Sequence, residues 1–181
     1  FRERLTALWS YTRTGIPQRK AGRLFYSRNS GLQPQAPVYM RATPDAGPEL
    51  VLDPNAISAD GSVSLAQYAP SPDAKLLAYA LARGGADWRT IRVRDIASGR
   101  DLADEVRWMR FSGIAWTRDG RGFFYSRYPE PPANKVLEAA LSGHALYYHR
   151  IGTPQAEDVL VYERPDLAGW VVGGSVTEDG R

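Results

Sequence analysis

The sequence predicts an all-β fold, a partial β-propeller of about three four-stranded antiparallel blades and the start of a fourth, and three observations carry that expectation. First, a turn followed by an aromatic strand recurs: Lys20-Ala21-Gly22-Arg23-Leu24-Phe25-Tyr26, Pro72-Asp73-Ala74-Lys75-Leu76-Leu77-Ala78-Tyr79 and Arg118-Asp119-Gly120-Arg121-Gly122-Phe123-Phe124-Tyr125, with Glu178-Asp179-Gly180-Arg181 opening another copy. Second, the turn centres at Gly22, Ala74, Gly120 and Gly180 lie 52, 46 and 60 residues apart, the spacing of propeller blades and longer than helical ankyrin or TPR periods. Third, the 17 Gly and 13 Pro are scattered along the chain, which suits many short strands joined by tight turns. With 181 residues, 43% of them hydrophobic, one architecture should account for nearly the whole chain.

Taken in order, residues 1–10 read as the end of a helical segment, because Phe1, Leu5, Leu8 and Trp9 fall on one helical face. Residues 11–181 then hold the blades. Blade one reads through strands at 24–27, 38–41 and 50–52. Blade two is the clearest, with strand A at 65–70, B at 75–81, C at 90–96, and a short strand D after the Ser98-Gly99-Arg100 turn. Within its strand C, Ile91, Val93 and Asp95 point one way and Arg92 and Arg94 the other, the period of two of a half-covered sheet. Blade three repeats the plan at 114–116, 123–127, 145–151 and 158–162, and residues 170–176 supply strand A of a fourth. Tyr26, Tyr79, Tyr125, Trp116 and Trp88 are expected to fill the wedges between blades. Such sheets bury their faces on one another, so an incomplete run leaves two open flanks to be covered. The start at Phe1 and the stop on a hairpin turn both read as cut ends.

Chemistry is sparse. Gly173-Gly174-Ser175 resembles half of a nucleophile elbow, but that turn needs Gly-x-Ser-x-Gly before a helix, and Val176-Thr177-Glu178 follows instead. His144 and His149 lack carboxylates at ligand spacing and read as solvated or hydrogen-bonded. Asp73, Asp119 and Asp179 recur at equivalent turn positions, where an acceptor for nearby backbone N–H groups explains them better than calcium does. No metal, cofactor or catalytic residue is therefore expected. A net charge of +3, scattered along the chain, points to neither a nucleic-acid nor a membrane partner. The absence of Cys leaves a soluble protein of either cytoplasm or periplasm open.

Five stretches give the chain a family likeness: Asn29-Ser30-Gly31-Leu32-Gln33-Pro34-Gln35, Leu52-Asp53-Pro54-Asn55-Ala56-Ile57-Ser58-Ala59-Asp60-Gly61, Ala86-Asp87-Trp88-Arg89-Thr90-Ile91, Phe111-Ser112-Gly113-Ile114-Ala115-Trp116-Thr117-Arg118-Asp119-Gly120 and Leu146-Tyr147-Tyr148-His149. They resemble the N-terminal half of the propeller of the prolyl oligopeptidase family, and the Asp-Pro-Asn and Phe-Ser-x-x-Ala-Trp stretches look like prolyl endopeptidase rather than its oligopeptidase B relative. The resemblance implies a serine peptidase that cleaves short peptides on the carboxyl side of proline, with a seven-bladed propeller gating an α/β-hydrolase domain. Its Ser-Asp-His triad would lie beyond Arg181, and residues 1–10 would pack on the hydrolase part. The implied partners are short proline-containing peptides, the remaining blades and that hydrolase domain.

By the same resemblance, Phe111 matches the aromatic that reaches from the propeller to line the subsite distal to proline; the alternative is ordinary packing within its blade. Blade geometry bears on the assignment separately, since D-to-A and B-to-C loops share one rim, so Phe111 and Asp87 should face the same side. Asp87 is then placed for a polar contact with bound peptide or at the domain interface. Gln67 stands where some family members carry Arg, so the likeness supplies no charge partner there. A non-catalytic propeller scaffold or peptide-binding module is the competing reading.

Overall fold

A computed structural model describes residues 1–58, 60–132 and 141–180; Ala59 of the Asp-Pro-Asn stretch and Arg181 of the last turn lie outside them. Helix α1 (Arg2–Trp9) opens the chain with no buried residue, leaving its apolar face of Phe1, Leu5, Leu8 and Trp9 in solvent. No described helix is long and apolar enough to cross a membrane.

The first sheet holds β1 (Arg13–Thr14), β2 (Gln18–Lys20), β3 (Arg23–Asn29), β4 (Val38–Arg41) and β5 (Glu49–Leu52). Strands β1 and β2 both pair with β3 and were not expected, because Gln18, Arg19 and Lys20 have no apolar alternation and owe their strand state to backbone pairing with Phe25, Leu24 and Arg23. Blade two consists of β6 (Val63–Pro70), β7 (Leu76–Arg83), β8 (Arg89–Asp95) and β9 (Asp101–Met109), and blade three of β10 (Ala115–Trp116), β11 (Gly122–Arg127), β12 (Ala145–Arg150) and β13 (Val159–Tyr162). All pairings are antiparallel.

Two expectations are corrected. The fourth strand of blade two is nine residues long rather than short, because β9 pairs with β8 and then runs on until Met109 bridges both Arg89 and Arg127. Residues 170–176 form no strand: they share no ladder with any described strand, and Val172 instead donates its N–H to the His144 ring.

The period of two along β7 accounts for the layering. Leu77, Tyr79 and Leu81 pack on Phe25, Val38, Met40 and Leu52 of the first sheet, while Ala78 and Ala80 turn to the opposite face. There they join Ile91, Val93 and Val106 against Trp116, Phe123 and Tyr125 of blade three. Blade two is thus covered on both sides, as propeller packing demands. Trp116 also donates its indole N–H to the Ala69 carbonyl, 2.9 Å away. Tyr26 departs from the expected wedge packing, because its register turns it away from Phe25 to stack on Tyr39.

The recurring turns behave as their Asp residues require. Asp73 accepts from Ser71 Oγ and Lys75 N, and Asp119 from Thr117 Oγ1 and Arg121 N, so the carboxylates are spent on closing hairpins. Ala74 stands at the left-handed position that glycine fills at Gly120, with φ of 57°. The first strands β2, β6 and β10, together with residues 174–178, line one concavity of about 690 Å³.

Candidate functional site

At the rim opposite those turns, strand register brings four chain segments together. Met109 pairs with Arg89 on one side and Arg127 on the other, and Arg127 pairs with Ala145. One residue further along each element therefore sets Trp88, Arg110, Tyr128 and His144 side by side. Gly84 and Gly85, both left-handed, turn β7 into the loop that presents Asp87 and Trp88.

Arg110 is the centre of this cluster. Its Nη2 donates to Asp87 Oδ2 at 2.6 Å, and its guanidinium carbon lies 5.3 Å from the Trp88 ring centre and 4.9 Å from that of Phe111. The Arg110 side chain is 19% exposed and that of Asp87 66%. Trp88 meets Trp108 and Tyr128 edge to face, at 5.7 and 6.0 Å between centres. Phe111 itself is 51% exposed.

The backbone beneath Phe111 is anchored at alternate residues. Tyr128 N donates to the Trp108 carbonyl, the His144 ring bonds the Arg110 carbonyl, and Ser126 N donates to Ser112 Oγ. Trp108 and Phe111 both hold left-handed backbones, φ 64° and 50°, a strain that surrounding contacts must enforce. His144 accepts the Val172 N–H at Nδ1, so Nε2 carries the proton and donates to the Arg110 carbonyl. Burial pushes its pKa down, against the raising effect of the Arg110 bond, in keeping with a neutral ring.

Both sequence-selected residues, Asp87 and Phe111, thus stand on one rim, joined through Arg110. Gln67 takes no part in this; its amide donates toward Met109 Sδ. Arg110 and Trp108 escaped the sequence reading, and His144 entered it only as a solvated or hydrogen-bonded histidine, of which the second holds. The only available signal for Arg110 was adjacency to Phe111, since its partner Asp87 is 23 residues away.

The second histidine lies elsewhere, and neither histidine is solvated. His149 is fully buried between blades two and three, with Nδ1 2.6 Å from Asp158 Oδ1 and Nε2 3.1 Å from Asp104 Oδ1. Tyr125 donates to the other oxygen of Asp158. Blade two repeats the plan: Tyr79 donates to Asp101, which also pairs with Arg94, and Arg94 reaches the Val51 carbonyl of the first sheet. Arg94 and His149 occupy the same register, opposite Leu77 and Phe123. Arg94 thus clasps blade two to the first sheet, and His149 clasps blade three to blade two. Among the described residues no group of His, Cys, Asp or Glu is arranged to hold a metal ion.

Comparison with known proteins agrees with this architecture. The chain is 34% identical over 180 residues to a prolyl endopeptidase of Elizabethkingia meningoseptica, covering 99% of this chain and 25% of that protein. It is 36% identical to prolyl oligopeptidase A of Galerina marginata over 87% of this chain and 25% of that one. Among solved structures, prolyl oligopeptidase B of Galerina marginata bound to a 25mer macrocyclization substrate superposes with a TM-score of 0.89 at 33% identity, over 98% of this chain and 27% of that chain. Oligopeptidase B of Leishmania major, at 19% identity and a TM-score of 0.71 over 88% of this chain and 22% of that chain, shares the fold alone. The chain spans about a quarter of the length of the curated relatives it matches. The family model described as the prolyl oligopeptidase N-terminal β-propeller domain matches residues 1–181, and the chain belongs to the prolyl oligopeptidase family.

Proposed function

We propose that the chain serves as part of the gating propeller of a prolyl endopeptidase, a serine peptidase that hydrolyses short peptides on the carboxyl side of proline. The observation that carries this reading is Phe111, an apolar ring held half in solvent by an anchored, strained backbone on the rim opposite the recurring turns. A ring in that setting offers a peptide apolar contact without paying for its own ordering. Residues 1–10 form the end of a helical segment whose exposed Phe1, Leu5, Leu8 and Trp9 dock on the hydrolase domain. The exposed face of β13, from Val159 to Tyr162, is covered by the next of four further blades in a ring of seven. The Ser-Asp-His triad belongs to the hydrolase part. A closed ring passes narrow, flexible peptides and excludes folded proteins; solved relatives of this family bound to 25mer and 35mer peptide substrates support the peptide class.

The coding sequence downstream should supply a Gly-Gly-Ser-x-Gly-Gly elbow, then Asp and His; a continuation without them favours a scaffold instead. In the protein carrying both domains, Phe111→Ala should raise KM about five- to tenfold for a reporter with an apolar residue distal to proline, and less for a minimal Gly-Pro reporter. Equal losses on the two reporters, or equal cutting of folded proteins and short peptides, would reject the assigned role.

A further inference from the structure

We propose that Arg110 is the positioning residue that fixes the Phe111 ring as a subsite wall, with Asp87 as its tether; this rests on the subsite reading of Phe111. The anchors at Trp108, Arg110 and Ser112 hold the backbone but leave the ring's own rotation undetermined. The Arg110 guanidinium lies over the ring, 4.9 Å from its centre. A cation over an aromatic face is attracted by the ring quadrupole, so the pair favours one ring pose over the others.

The guanidinium in turn has little freedom. Trp88 lies against it at 5.3 Å, Asp87 holds Nη2, and Nε is buried with no hydrogen-bond partner among the described residues. A planar group between two rings does this in a way that an ammonium cannot, because only the guanidinium stacks while donating sideways in its plane. The three residues thus act in series, from Asp87 through Arg110 to Phe111. The exposed carboxylate of Asp87 orients the cation and need not contact peptide itself.

The test uses the protein carrying propeller and hydrolase domains, with wild type, R110M, R110K, F111A and the R110M/F111A double variant. The reporters are a proline peptide with an apolar distal residue and a minimal Gly-Pro substrate. R110M should raise KM for the extended reporter by about three- to fivefold, with a smaller effect on kcat and on the minimal reporter. It should add nothing in the F111A background, and R110K should recover only part of the loss. D87N, at an exposed position that does not endanger folding, should shift KM in the same direction by about twofold. Additive effects of R110M and F111A, or an equal loss of kcat on both reporters, would overturn the role of Arg110 while leaving Phe111 in place. An F111A variant with no selective effect would remove the subsite reading, and this inference with it.

Discussion

Replacing His149 with alanine should destabilise the protein by about 3–5 kcal/mol, because it strands two buried carboxylates that now share one imidazole. Asp104 comes from β9 of blade two and Asp158 from the residue just before β13 of blade three, so the loss also unfastens one blade from the next. Asp104 Oδ2 already lacks a hydrogen-bond partner, and its Oδ1 would keep only the Gly152 N–H. Burial opposes charge on the ring, but hydrogen bonds and attraction from Asp104 and Asp158 outweigh it and push the His149 pKa up to about 9. A folded-state pKa above the ordinary value near 6.5 means that the clasp contributes fully below about pH 6.5 and is lost as pH rises through 9, a change on the order of 3 kcal/mol. On the acid side, burial raises the Asp104 pKa, but bonds from His149 and Gly152 lower it further, so its share is lost only as pH falls below the usual carboxylate range. Urea unfolding at pH 6 and pH 9.5 measures this. The wild-type midpoint should fall, and the fall should shrink in His149→Ala; a flat wild-type profile would exclude a protonated His149.

Gly122→Ala is expected to cost about 3 kcal/mol, the upper end of overpacking penalties. Gly122 begins β11 opposite Arg150, and a Cβ there would run into the His149 carbonyl oxygen and sit 2.6 Å from the Tyr148 ring. The ring could swing away, but the carbonyl belongs to the backbone of β12, so the strand pair must separate to admit a methyl group. Since β12 also carries His149, the same displacement disturbs the clasp. Gly47→Ala, where nothing lies within 4 Å of the new methyl, serves as the control and should change stability by less than about 0.5 kcal/mol. Equal midpoints for the two variants would refute the steric account.

Much of the fold was legible because the central strands announce themselves. In β7 large and small apolar residues alternate with a period of two, in β8 apolar residues alternate with arginines, and the Pro72-Asp73-Ala74 and Ser98-Gly99 turns flank the pair. The misses share one cause. Strand β2 is wholly polar and exists because β3 offers it a ladder, whereas residues 170–176 have the composition of a strand but pair with none of the described strands. The exposure and strain of Phe111 likewise could not be read locally. Its likeness to a family motif suggested a role, but its half-solvated ring depends on anchors from β11 and the segment before β12.

What the sequence determined by itself was the repeat, and with it the antiparallel blades, the hairpin-closing aspartates and the shared rim of Asp87 and Phe111. These follow from local rules of turn chemistry and alternation that hold whatever the neighbouring sheet contains. Only the tertiary structure decided which side chains meet across sheets. Arg110 found Asp87 over 23 residues, and His149 found Asp104 over 45. Such pairs depend on the register and on the stacking of whole blades. A short window of sequence carries no trace of either, because the distance between two side chains in space is set by every strand that lies between them.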